Sequence, residues 1–82
     1  MPPPTAGDLV RVAATAALDR PRTSRPLTVR EAAAYLWAAG CDPRPCGCDA
    51  RALVALTEHT YARHETARAA RAARQEQRQR AA

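Results

Sequence analysis

Lysine, phenylalanine, isoleucine and asparagine are absent from this 82-residue chain, which has only three glycines, one tryptophan and one serine, Ser24. Each shortage removes a class of function. Three glycines do not furnish a glycine-rich phosphate loop, and a lone serine between proline and arginine residues belongs to no Ser–His–Asp set. With 21 alanines inside the 46% hydrophobic fraction, little large apolar surface remains for a core. A chain of this size has small room for a substrate cavity, so a non-enzymatic protein is expected. The stretch "AAAYLWAAGC", residues 32–41, is the longest uncharged run among the helical segments; its ten residues are half a membrane span, and no membrane partner is expected. "MPPPTAGDLV" also lacks the basic segment and apolar run of a signal peptide. The expected compartment is the cytoplasm, where thiols stay reduced.

Arginine supplies all 13 basic residues, for a net charge of +5. Together with the alanine and proline content, this is the composition of a GC-rich genome, an actinobacterium or one of its phages. The charge is unevenly placed. Residues 1–58 hold seven Arg against six acids, whereas residues 59–82 hold six Arg against two Glu. The basic character belongs to the C-terminal segment.

Helical periodicity and its punctuation predict an all-α chain of three helices, the second and third forming a hairpin and the third long, with a basic C-terminal extension. Thr5 opens the first helix, with Asp8 at the capping-box position. Leu9, Val10, Val12, Ala13, Ala16, Ala17 and Leu18 form its broad apolar face, and "RPRTSRP", residues 20–26, should end it. Thr28 and Glu31 make a complete capping box for the second helix, which Leu27 staples. Val29, Ala32, Ala33, Leu36 and Trp37 share its inner side, and Gly40 and Pro43 stop it. Asp49 is the expected N-cap of the third helix, whose packing face gathers Ala50, Leu53, Val54, Thr57, Tyr61 and His64; His59 points away. Residues 1–4 are expected to be a disordered N-terminus, residues 5–62 the small helical domain, and residues 63–82 an Arg/Ala-rich arm or tail.

Between the second and third helices lies "GCDPRPCGCD", residues 40–49, which contains the three cysteines, Cys41, Cys46 and Cys48. Zinc takes three thiolates and a histidine in tetrahedral structural sites. His59, however, is ten residues beyond Asp49, about 15 Å up a helix, and His64 is farther. A metal site would therefore need Asp42, Asp49, water or another chain as its fourth ligand. The competing reading is a small apolar plug closing the open end of the hairpin. A reactive Cys48 at a helix N-terminus ranks below both, because Asp42 and Asp49 oppose the pKa depression it needs.

"LTVREAAAYL", residues 27–36, resembles the first helix of the helix-turn-helix in excisionase and MerR-type DNA-binding proteins. Leu27, Thr28, Val29, Glu31, Ala32 and Ala33 carry the resemblance, which implies DNA as partner. The C-terminal segment supplies an independent argument for a polyanion. If helix continues, Arg63, Arg71, Arg74 and Arg78 fall within about 80° of one another, with Glu65 and Glu76 roughly opposite. Arg51, on the outer side of the third helix, is the other candidate contact. The favoured expectation is a small accessory or regulatory protein binding DNA through these five arginines. Two alternatives stay open: an adaptor, homodimeric or not, whose basic arm meets an acidic protein surface, and a zinc-stabilised version of either.

Overall fold

The computed structural model describes residues 1–23, 25–45 and 47–81, residues 21–23 through their backbone. It has three helices, α1 (Ala6–Thr23), α2 (Val29–Ala38) and α3 (Cys48–Ala81), and no strand among the described residues. This is the all-α arrangement expected, with α3 running 34 residues.

Two reciprocal caps start the first two helices. Thr5 N–H donates to Asp8 Oδ2 (2.9 Å) and Asp8 N–H returns a bond to Thr5 Oγ1 (3.1 Å). These bonds hold the Asp8 carboxyl below its ordinary value, aided by Arg11 and the Cys41 thiol. At α2, Thr28 N–H donates to Glu31 Oε1 (3.0 Å), and Glu31 N–H donates to Thr28 Oγ1 (3.1 Å). Arg25 closes a two-pronged contact on the same carboxylate, at 2.6 and 3.2 Å. This fork, then the Thr28 backbone N–H, lowers the Glu31 pKa from 4.5 to about 2. α2 ends at Gly40, whose φ of 82° suits a residue without a Cβ. Gly40 N–H bonds Trp37 O (3.0 Å) and Cys41 N–H bonds Leu36 O (2.9 Å), the paired closure of a Schellman motif.

α1 does not stop at Arg20 as its proline-rich sequel suggests, but continues through Pro21 to Thr23. Pro21 has no N–H to give, so the helix loses a bond there. Tertiary contacts offset that loss. Arg20 Nε donates to Glu58 Oε2 (2.7 Å), and its guanidinium lies 5.2 Å from the Tyr61 ring centroid. The N-terminal residues are also tied down, since Asp42 N–H donates to Pro2 O at 2.8 Å.

Side-chain pairs give the helix directions. Late α1 meets the middle of α3 through Arg20 and Glu58, while Asp8 meets Cys41 just ahead of α3. α1 and α3 therefore run parallel. α2 runs antiparallel to both, since Cys41 just past its end returns to Asp8 at the start of α1, and Tyr35 Oη donates to Asp19 Oδ2 (2.6 Å) across the pair. α2 and α3 form the expected hairpin, yet the most extensive packing is between α1 and α3.

The core joins Val12, Ala13, Ala32, Leu36, Cys41, Ala50 and Leu53. Alanine allows helices to approach closely but buries little area, at about 25 cal/mol per Å². The bundle is consequently thin and does not cover every apolar side chain. Val10 (60% exposed), Leu18 (72%) and Trp37 (61%), all expected on inner faces, point to solvent, as in part does Val29. His64, expected on the packing face of α3, is exposed, because the bundle ends before reaching it. Thr57 is fully buried, and its hydroxyl has no hydrogen-bond partner among the described residues.

Two tests follow from these contacts. Thr57→Val keeps the side-chain shape and removes an unsatisfied buried hydroxyl, so urea unfolding is expected to show about 1 kcal/mol of added stability. For Glu31, the folded pKa is depressed. Its contribution is present above 4.5 and lost as pH falls towards about 2. Glu31→Gln should therefore flatten the acid limb of the stability–pH curve across that window, read by circular dichroism.

Candidate functional site

The cysteine corner, residues 39–47, is built around an arginine. Arg44 adopts a left-handed backbone (φ 52°), an uncommon choice for a residue with a Cβ. Three interactions hold it there. Its N–H donates to Asp42 Oδ1 (3.1 Å), and its guanidinium grips Asp49 at Oδ2 (2.6 Å) and Oδ1 (2.9 Å). The Gly47 N–H then bonds Arg44 O (3.2 Å). Asp49 thus does not cap α3. The Gly47 carbonyl accepts the first helical bond, from Arg51 N–H at 2.9 Å, and Asp49 sits buried in the first turn with both oxygens on Arg44.

This geometry bears on the thiols. Cys41 is buried in the core beside Leu36, which suits the plug reading for that residue, whereas Cys48 is exposed. Cys46 lies outside the described residues. Among the described residues no group of three or more His, Cys, Asp or Glu side chains could hold a metal ion. Asp42 and Asp49 are engaged by Arg44, and His59 and His64 are exposed farther along α3. The corner also puts nine residues, 39–47, between α2 and α3, against about three or four in a helix-turn-helix.

The second half of α3 is a different object. Tyr61 and Glu65 are the last half-buried residues, and every residue from 66 to 81 is exposed. The molecule measures 57 × 23 × 17 Å, and at 1.5 Å per residue α3 alone spans about 51 Å of the long axis. Roughly 24 Å of single helix therefore stands beyond the bundle.

Continuous helix brings four of the five expected arginines together. Arg63, Arg71, Arg74 and Arg78 lie along one side, and Arg71, Arg74, Gln75 and Arg78 line a single shallow hollow. The arm's ion pairs, Arg68 with Glu65 (3.4 Å) and Arg80 with Glu76 (3.1 Å), leave that side alone. No ion pair engages Arg63, Arg71, Arg74 or Arg78 among the described residues. In the bundle, by contrast, Arg11, Arg20, Arg25 and Arg44 each meet a carboxylate. Arg51 does not join the stripe: it is exposed about 18 Å from Arg63 along the axis, and about 160° around the helix from the stripe's centre. Gln75 was not among the expected contacts. Its signal was its spacing, four residues after Arg71 and three before Arg78.

Among the described residues, no helix is long and apolar enough to cross a membrane. Compared with protein-family models, curated proteins and solved structures, the chain matches none.

An arm without tertiary contacts should lose helix without unfolding the bundle. Ala70→Pro, placing a residue about 3 kcal/mol worse than alanine in a helix interior, is expected to lower the 222 nm signal. The midpoint of cooperative thermal unfolding, followed by Trp37 and tyrosine absorbance, should stay where it is.

Proposed function

We propose that this chain is a small non-enzymatic accessory or regulatory protein that binds DNA through the arginine stripe of its projecting arm. One observation carries the reading: four arginines on one side of a solvent-standing helix have no acidic partner among the described residues, while the bundle's ion pairs absorb most of its own charge. Guanidinium forks suit phosphate oxygens, and the release of condensed counterions drives association with a duplex. The bundle has a mechanical part in this. A helix of about 16 residues is marginal alone in water, because nucleation is costly. Here the packed first half of α3 supplies the nucleus, and the arm extends it one hydrogen bond per residue. Alanine and arginine, both strong helix formers, make that extension favourable.

A second reading, an adaptor whose arm meets an acidic protein, draws on a separate observation. Trp37, Leu18 and Val10 are exposed on the bundle, and such side chains serve protein contacts more readily than phosphate contacts. In that case an acidic protein would remain bound after nuclease treatment.

Titrating a labelled duplex with the full chain at several salt concentrations tests the first reading. Four phosphate contacts predict a slope of log K against log salt of about −3.6. Removing residues 63–82 should abolish binding, and Arg74→Gln should reduce the slope by about one. Absence of binding to every duplex at low salt would sink the DNA reading.

A further inference from the structure

Resting on that DNA reading, we infer that the arm lies lengthwise in the major groove of B-form DNA and reads base edges through Gln75, set among Arg71, Arg74 and Arg78. A helix can meet a polyanion end-on or along its side. The projecting end of α3 is a helix C-terminus, whose dipole is partially negative, so it does not favour phosphate. The arginines are arrayed along the side instead. Side-on docking is the geometry that remains.

The arm's cross-section selects the groove. No other element packs on residues 66–81, so the helix can be surrounded by its partner. The edge beside the stripe carries Thr66 and Ala70, and Glu65 and Glu76 sit about 160–180° from the stripe's centre. The face is therefore long-armed and basic, its edge slim and its back charge-balanced by the Arg68–Glu65 and Arg80–Glu76 pairs. A helix about 10–12 Å across fits the major groove, about 12 Å wide, and not the minor groove, about 6 Å wide. The deep, narrow major groove of A-form RNA excludes it as well.

Gln75 turns a phosphate-tracking surface into a reading one. Guanidinium groups only donate hydrogen bonds, and phosphates only accept them, so tracking a backbone has no use for an acceptor. An amide both donates and accepts, and pairs with the N6 and N7 edge of adenine. Gln75 sits in the hollow with its three arginines rather than on the side of the ion pairs. Residues 71–78 span about 10 Å of helix axis. That is about three base steps at roughly 3.4 Å each. In this docked arrangement Gln75 faces the bases, while Arg63, Arg71, Arg74 and Arg78, all to one side of it around the helix, meet the phosphates of one groove wall.

The experiment is a selection from a randomised duplex pool with the full chain, followed by competition between the enriched DNA duplex and an RNA duplex of the same sequence at about 0.1 M salt. Expected are a short enriched core and a DNA preference on the order of tenfold or more over the RNA duplex. Gln75→Ala, which preserves helix at 222 nm, should erase the preference at one position of the core and leave the salt slope unchanged. Arg74→Gln should lower the slope and keep the preference. Equal affinity for DNA and RNA duplexes, or a selection that enriches nothing, overturns groove reading while leaving arm-dependent DNA binding in place. Failure to bind any duplex removes both.

Discussion

The scarcity of large apolar side chains sets the plan of the molecule. Leu36 and Leu53 are the only leucines fully withdrawn from solvent, and much of what surrounds them is alanine. Alanine lets three helices come close, but each contact contributes little, so the buried seam is short. It reaches from Val12 and Cys41 at one end to Thr57 and the half-buried Tyr61 at the other. Beyond Tyr61 the chain has no leucine, valine or aromatic residue left to bury. α3 must leave the bundle there, and its remaining turns are formed in water.

Ion pairs do at the edges what apolar contacts do not. Arg20 clamps the last turns of α1 to Glu58 and Tyr61, Arg25 reinforces the cap of α2, and Arg44 fastens the cysteine corner to Asp49. Most of these guanidinium groups are partly exposed, where a single pair is worth about 0–1 kcal/mol. Their value is positional. Each sits where the backbone departs from an easy path: before Pro21, ahead of the Thr28 cap, and at the left-handed Arg44 itself. The same pairing decides where charge is available, since the bundle's acids are consumed locally and the arm's two glutamates turn away from the stripe.

Local chemistry was readable in advance, and tertiary compensation was not. The capping boxes at Thr5 and Thr28, the left-handed Gly40 and the long third helix each rest on residues within five positions of one another. α1 running through Pro21 depends on Glu58 and Tyr61, nearly forty residues away, which no local pattern reports. Asp49 looked like a cap because Arg44, five residues back, reaches it only through a left-handed backbone that its residue type does not signal. Trp37 and Leu18 looked internal because a helical wheel shows which residues share a face, not how much of it a thin neighbour covers. The stripe of Arg63, Arg71, Arg74 and Arg78 was legible for the opposite reason: it depends only on unbroken helix. Gln75 was overlooked because charge was the signal being followed.

Bundle and arm are one rigid lever because α3 has no break between them. No glycine or proline occurs after Gly47, so nothing in residues 48–81 offers a hinge. An arm joined by a flexible linker would sample many directions and lose that freedom on binding. Here much of that ordering is already met by the packing of Leu53 and Thr57 and by the Arg20 clamp. Those residues lie away from the arginines, yet they set the arm's direction. A helix with only alanine, glutamine and threonine between its charged side chains gains no stability from a core of its own; its order is borrowed from the bundle, turn by turn, through the backbone.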